Sequence, residues 1–327
     1  MRWRRAVRAA TAGILAAGVA GLVSAGPASA GRRHRHLAPL TGLPESAAAA
    51  HRPALTVKID NTPNAHPLFG INDADVVYEE IVEGGITRLA AVFNSRLPGV
   101  IGPVRSVRRT DRLVVFPLGG IFAFSGGAAY ALNSIDTAPV QRFDEATAGP
   151  AMFRTALRVP PDNLLLDPTR LLAEARRARP PRPLFAYTAP RTPARGAPVA
   201  TFSVNFPAGY AVSYAWDGAH HDWARSIFGA PERTAAGVPV APTNVVVLDV
   251  RYIGGVGNIG AEADLMGHGT ALVFSDGRLQ RGGWFHADVR RPIALRARGR
   301  VIALRPGSTW VELEASGQTV SLSAPRR

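Results

Sequence analysis

The sequence predicts an α+β protein, with a mixed α/β N-terminal domain followed by a mostly β C-terminal domain. Three observations carry that expectation. Residues 53–177 interleave short apolar strands with helix-like runs. Residues 201–327 hold mainly short alternating runs closed by turn pairs such as Asp276-Gly277 and Pro306-Gly307, which suggests a small β-sandwich or β-barrel. Between them, "ARPPRPLFAYTAPRTPARGAPVA" at 178–200 is dense in Pro and Arg and has no apolar period, as a linker would. With 327 residues, 46% of them hydrophobic, the chain can bury two cores.

The first thirty residues stand apart from the fold. Arg2, Arg4, Arg5 and Arg8 precede an Ala/Gly/Leu/Val run that ends in "PASA" at 27–30. That is the layout of a secretory signal peptide cut after Ala30, with an uncleaved N-terminal anchor as the alternative. The polar, small and basic stretch 31–52 is expected to be a disordered lead-in. "PALTVKID" (53–60) alternates as a strand and "NTPNAHPLFG" is a loop with two prolines. "ADVVYEEIV" (74–82) and "ITRLAAVF" (86–93) read as strands joined by Glu83-Gly84-Gly85, and "SRLPG" turns the chain into "VIGPVR" (100–105). Ser106 or Thr110 is placed to cap a short helix through "RRTDRLVVF", with Asp111 favourable near its N-terminus. "GIFAFSGG" reads as a buried strand and "AAYALNSI" as a helix, while Asp167-Pro168 is an N-cap followed by proline at the first helical position.

Composition narrows the function classes. Cleavage after Ala30 removes four arginines and no acid, so the formal charge falls from +14 to +10. Such a chain is drawn to anionic wall polymers, acidic lipid or extracellular DNA, all the less at high salt. Lys58 is the only lysine, so the arginine content also fits a plain compositional bias. The absence of cysteine excludes disulfides, thiolate metal sites, a cysteine nucleophile and a lipid-modified cysteine anchor. Residues 113–132 carry no charge, yet Pro117 and four glycines within them argue for a helix end, strand, turn and new helix rather than a membrane span. The basic segments lack interleaved aromatics and any recognised module, so nucleic acid is not an expected partner.

The charges around the two central strands pose the functional question. Alternate strand residues share a face, so Glu79 and Glu83 point one way and Glu80 the other, while Arg88 sits among Ile86, Ala90 and Val92. A charge in such surroundings needs a partner or a wet cleft, because isolated burial costs on the order of several kcal/mol. Three readings are open: Lys58, Glu79, Glu83, Arg88, Arg105 and Arg108 neutralise one another, or line a cleft for an anionic or polar ligand, or perform catalysis. If a helix begins at Ser106, Arg105 and Arg108 form a fork suited to carboxylate or phosphate.

Other candidates are weaker. Ser125 in "GGIFAFSGG" lacks the G-x-S-x-G frame, and the loop lacks the G-K-[ST] end of a P-loop, so Gly-rich packing is the expectation. His220, His221, Asp222, His268 and His286 match no metal-ligand spacing. Trp216, Trp223, Trp284 and Trp310 read as core or edge anchors, although an exposed pair would stack on sugar rings. No catalytic residue, metal or cofactor is expected.

Four motifs then appear in order: P-x-x-x-x-K-I-D-N from Pro53, A-D-x-V-Y-E from Ala74, E-G-G-I-T-R from Glu83 and G-P-V-R-S-x-R from Gly102. "FSGG", "GTALVFSDGRLQRGGW" and "PGSTWVEL" follow. Across residues 38–325 this pattern resembles the YerB-like lipoprotein family. The resemblance implies an exported envelope protein with an N-terminal and a C-terminal domain, both of unknown function, and supplies no activity. Lys58, Asn61, Asp75, Glu79, Glu83, Arg88, Arg105 and Arg108 fall on the family's polar motif positions. Two departures matter: the lipobox cysteine is absent, and Asp162 in "PPDNLL" stands where the family pattern has histidine. A fold-level analogy to the LytR-CpsA-Psr phosphotransferases rests on strand, hairpin, strand, Arg-rich turn and later Gly-Gly, without their acid-to-arginine spacing.

The expectation is an exported cell-envelope protein acting as a non-catalytic binding or scaffolding module. Its ligand-binding residues would be Lys58, Asn61, Glu79, Glu83, Arg88, Arg105 and Arg108, and its partner a cell-wall or anionic envelope component, or an envelope protein. The alternative is a Mg²⁺-dependent envelope phosphotransferase, with the same arginines as phosphate clamp and Glu79 or Glu83 holding the ion or acting as base.

Overall fold

The computed structural model describes residues 36–176, 178–189 and 192–325, so the expected signal peptide and its cleavage site lie outside the described residues. The N-terminal strands β1 (Leu55–Asp60), β2 (Val76–Ile81) and β3 (Thr87–Phe93) are buried along their whole lengths, as their apolar runs require. β3 lies antiparallel between β1 and β2. Lys58, Ala90 and Tyr78 are level on one face, as are Asp60, Arg88 and Glu80; on the opposite face Ile59, Leu89 and Glu79 are level. β4 (Ile121–Ala123) and β5 (Gln141–Phe143) continue the sheet beyond β1 in parallel.

Four α-helices among the described residues, α1 (Ala47–Ala50), α2 (Asp111–Val115), α3 (Ala129–Ser134) and α4 (Pro168–Glu174), span four to seven residues each. The protein is therefore β-rich with few helices, and the expected mixed α/β character of the N-terminal domain is not clearly formed, because each run read as a helix supplies only one or two turns. α4 starts where Asp167-Pro168 predicts, its Asp167 carboxylate accepting the N–H groups of Thr169 and Arg170 at 3.0 Å. α2 starts later than a Ser106 cap would place it. Asp111 Oδ2 accepts the Arg108 N–H at 2.6 Å, holding 105–108 outside the helix, so Arg105 and Arg108 do not share a helical face. The uncharged stretch 113–132 becomes the end of α2, then β4, then the start of α3. No described helix is long and apolar enough to cross a membrane.

Residues 36–52, expected as disordered, are folded against the body: Ala38, Leu40 and Ala49 are buried, and the Ser46 side chain caps α1. The Pro/Arg-rich stretch is likewise in contact, with Leu184 buried and the Tyr187 hydroxyl donating to the Leu40 carbonyl. It leads to the two-residue β6 (Ala197–Pro198) and then to an antiparallel sheet of β7 (Thr201–Val204), β8 (Val212–Asp217), β9 (Asp222–Ile227) and β10 (Ala230–Pro231).

β11 (Asn244–Val250), β12 (Gly267–Ser275), β13 (Arg278–His286), β14 (Ala294–Ala297) and β15 (Arg300–Val301) return to the large sheet. β16 (Thr309–Ala315) then lies parallel between β11 and β2, so strands from both sides of the Pro/Arg-rich stretch share one twelve-stranded sheet. Its order is β15-β14-β13-β12-β11-β16-β2-β3-β1-β4-β5, with β6 also on β13. β17 (Ser321–Ser323) completes the five-stranded sheet beside β7. The two sheets pack face to face: Phe202 stacks on Phe274 with centroids 3.6 Å apart, beside the buried Trp223.

Candidate functional site

The seven residues singled out from the sequence do not form one cluster, because the sheet divides them. On one face Lys58 Nζ contacts Glu80 and lies 2.8 Å from Asp111 Oδ1, all three side chains being buried. One cation between two carboxylates in a dry site holds β1, β2 and α2 together. Burial raises the Asp111 carboxyl pKa against the pull of Lys58.

On the opposite face Asn61 and Glu79 belong to a second buried group. Asn61 Nδ2 donates to Glu79 Oε1 at 3.0 Å and to Thr87 Oγ1 at 2.8 Å, and Thr87 Oγ1 donates to Glu79 Oε1 at 2.7 Å. Arg225 on β9 brings Nη2 to 2.6 Å from Glu79 Oε2 and also contacts Glu232. The Tyr214 hydroxyl donates to Glu312 and accepts from Arg225 Nε at 3.1 Å. His66 closes the group with Nε2 3.0 Å from Asn61 Oδ1. Burial and the nearby Arg225 pull its pKa down to about 4, so the ring is neutral although Nδ1 lies 3.6 Å from Glu232, whose charge Arg225 already holds.

Glu83, Arg88, Arg105 and Arg108 are the residues the structure brings together. They lie where β1 and β4 end and β3 begins, the carboxyl edge of the parallel strands, at which open sheets bind ligands. Arg88 Nη1 donates to the Ser106 carbonyl at 3.2 Å. Arg108 Nε donates to Glu83 Oε2 at 2.7 Å, and Arg105 Nε lies 2.7 Å from Asp60 Oδ2. Sequence reasoning missed Asp60, although its position at the end of a strand inside K-I-D-N was the available signal. Burial and a hydrogen bond to Asp60 raise the pKa of Asp162, which places the non-histidine residue of "PPDNLL" beside Asp60 and Arg105. Neutral hydroxyls complete the rim: Ser106 Oγ and Ser125 Oγ are 3.4 Å apart, and Tyr130 donates to Glu83 Oε1 at 3.2 Å. Ser125 is thus at the cleft and half-buried rather than packed away.

The cleft concentrates charges of both signs. Arg88, Arg105 and Arg108 face the carboxyl groups of Asp60, Glu83 and Asp162. Burial first, then repulsion from Arg108 and Arg105, lowers the Arg88 pKa to about 10. Burial alone would raise the Glu83 carboxyl, but Arg108 and Arg88 hold it below the usual range. Arg88 Nε is buried without a hydrogen-bond partner, and Arg105 Nε and Asp60 Oδ2 are close without being aligned. Guanidinium groups with unspent N–H donors suit the oxygens of a carboxylate or phosphate.

The remaining candidates are dispersed. Arg109 and Arg112 hold Glu262 at 3.0 and 2.9 Å, fastening α2 to the later half of the chain. His220 pairs with Asp217 and His221 with Asp276, while His286 contacts the carbonyls of Leu265 and Arg291. Among the described residues no group of three or more His, Asp or Glu is placed to hold a metal ion. Trp223, Trp284 and Trp310 are buried, and Trp216 packs on Trp223 with centroids 5.1 Å apart.

Residues 40–180 match the family described as "Protein of unknown function (DUF3048) N-terminal domain", and residues 202–311 match its C-terminal domain. "Putative lipoprotein YerB" of Bacillus subtilis (strain 168) is 28% identical over 312 residues, which cover 88% of each chain. The crystal structure of the YerB protein from Bacillus subtilis superposes with a TM-score of 0.77 at 24% identity, over 88% of this chain and 100% of that one.

Proposed function

Because this chain belongs to the DUF3048 family, whose two domains are described as of unknown function, we propose a role read from its own site. The protein is an exported cell-envelope binding module that takes an anionic group of a wall component or partner on Arg88, Arg105 and Arg108. The observation that carries this reading is the partnerless, buried Nε of Arg88 between two further guanidinium groups. An arriving anion supplies the acceptor that the Arg88 Nε–H lacks, and gains donors already held in place. Glu83 and Asp60 orient Arg108 and Arg105, while Ser106, Ser125 and Tyr130 line the rim. Lys58, Asn61 and Glu79 are wholly buried in the two structural groups beneath, so they support the cleft and do not touch a ligand. Likeness to a protein named as a lipoprotein supports an envelope location. A lipid-modified cysteine plays no part here, since the sequence has none.

The phosphotransferase alternative fits these residues less well. It requires Glu79 or Glu83 to be free to hold Mg²⁺ or act as base. Glu79 lies across the sheet on Arg225, and Glu83 is bonded to Arg108 and Tyr130.

Thermal-shift titration with pyrophosphate, citrate and wall fragments, with and without Mg²⁺, tests the proposal. The expected result is a rise in midpoint that disappears in Arg88→Met. An equal rise in that variant, or no rise with any anion, overturns it. A rise that requires Mg²⁺ favours the phosphotransferase.

A further inference from the structure

A second basic site lies in a different part of the large sheet. β6 and β14 both pair with β13, the first opposite Arg278 and Leu279, the second opposite Gly283, Trp284 and Phe285. Between these pairings, at Gln280 and Arg281, the sheet opens into a groove of about 1050 Å³ bounded by β6 and the β14–β15 hairpin. Arg195, Arg281, Arg298 and Arg300 line it, along with the exposed apolar side chains of Val301 and Leu322.

No Asp or Glu lines this groove, and among the described residues none of the four arginines makes an ion pair. The acid in the adjoining depression, Asp276, is already held by Arg305 and His221. Backbone geometry adds an independent observation. Arg298 and Gly299 form the two-residue turn of the hairpin at φ 48° and 74°. Asn, Asp or Gly usually fills the first such position, because left-handed φ strains any larger side chain. Here the strained position is Arg298, one of the residues that line the groove.

We propose that this groove binds a linear, phosphate-bearing polyanion laid between β6 and the β14–β15 hairpin. A guanidinium fork meets two phosphate oxygens at once, and four unpaired forks in one recess meet successive groups along a chain. Val301 and Leu322 give the carbon skeleton of a polymer an apolar surface to lie on. The groove is concave, whereas a flat lipid surface would rest on its rims. The site shares no residue with the cleft around Arg88, so each stands or falls alone.

The test is fluorescence anisotropy of the full chain with labelled long-chain inorganic polyphosphate across a salt series. In Arg281→Ala/Arg300→Ala the affinity falls about tenfold and the slope of log affinity against log salt drops by about two, one for each lost phosphate contact. Arg233→Ala, an exposed arginine outside both sites, leaves both unchanged. Arg298→Gly, which suits the turn, raises the melting midpoint and still weakens polyphosphate binding. Unchanged affinity and slope in an Arg281→Ala/Arg300→Ala variant that melts like the parent overturn the proposal. So does binding to phosphatidylglycerol vesicles without binding to polyphosphate.

Discussion

Arg225 Nη2 lies 2.6 Å from Glu79 Oε2 with both side chains fully buried, so a residue of the five-stranded sheet neutralises an acid of the large one. Replacing Arg225 by Met strands Glu79 and Glu232 in a dry interior. The expected loss is about 3–5 kcal/mol of unfolding free energy, measured by urea denaturation. Glu79→Gln keeps an acceptor for Asn61 and Thr87 and is expected to cost less.

Arg88 behaves in the opposite way if its charge is there for a ligand. Arg88→Met removes a guanidinium that Arg105 and Arg108 repel, at the expense of its attraction to Asp60 and Glu83. Stability of the free protein is expected to stay within about 1 kcal/mol, whereas anion binding is lost. Urea denaturation beside the anion titration separates the two effects.

Glu314 is only 5% exposed and its Oε1 has no hydrogen-bond partner. Burial, reinforced by Asp249, raises its pKa to about 7. A carboxyl raised in the folded state keeps its proton longer there than in the unfolded chain. Its contribution is therefore favourable at low pH and lost as pH rises from the ordinary Glu range through about 7. Glu314→Gln cannot ionise, so it is expected to be about 1–2 kcal/mol more stable than the parent at pH 8 and equal to it at pH 4. Urea denaturation at the two pH values checks the sign.

Two glycines with the same backbone angle give a matched pair. At Gly120, φ 76°, an added Cβ would lie 2.3 Å from the Ala54 carbonyl oxygen; at Gly84, also φ 76°, it would meet open space. Gly84→Ala is expected to cost about 1 kcal/mol, the left-handed strain alone. Gly120→Ala adds a clash between the segments entering β1 and β4, and is expected to cost about 3 kcal/mol or more in the same denaturation assay.

Local patterns made part of this structure legible. Alternation and the Glu83-Gly84-Gly85 joint located β2 and β3, and Asp167-Pro168 located the start of α4, because strand period and capping act over a few residues. The four polar motifs identified the family for the same reason. Helix content was over-read, since an apolar run of five residues supports a turn or a strand equally well. The partners of the central charges were not legible at all. Alternation put Glu79 and Glu80 on opposite faces, but Arg225 reaches Glu79 from β9, and the Lys58 that holds Glu80 is shared with Asp111 at the start of α2, neighbours that only the assembled fold fixes. Asp60 was overlooked because its place in the cleft depends on the β1–β3 register and on the later segment around Arg105.

The position of β16 between β11 and β2 also sets a timetable. Synthesis starts at the N-terminus, yet β2 has no neighbour on that side until residues 309–315 exist. Until then β2 offers a bare row of backbone donors and acceptors, a template for pairing with another chain. Closing so distant a contact is slow compared with forming a hairpin. A nascent chain of this design gains from being held extended until its last strands emerge, and a copy cut short before β16 is left with a sticky edge rather than a smaller working protein.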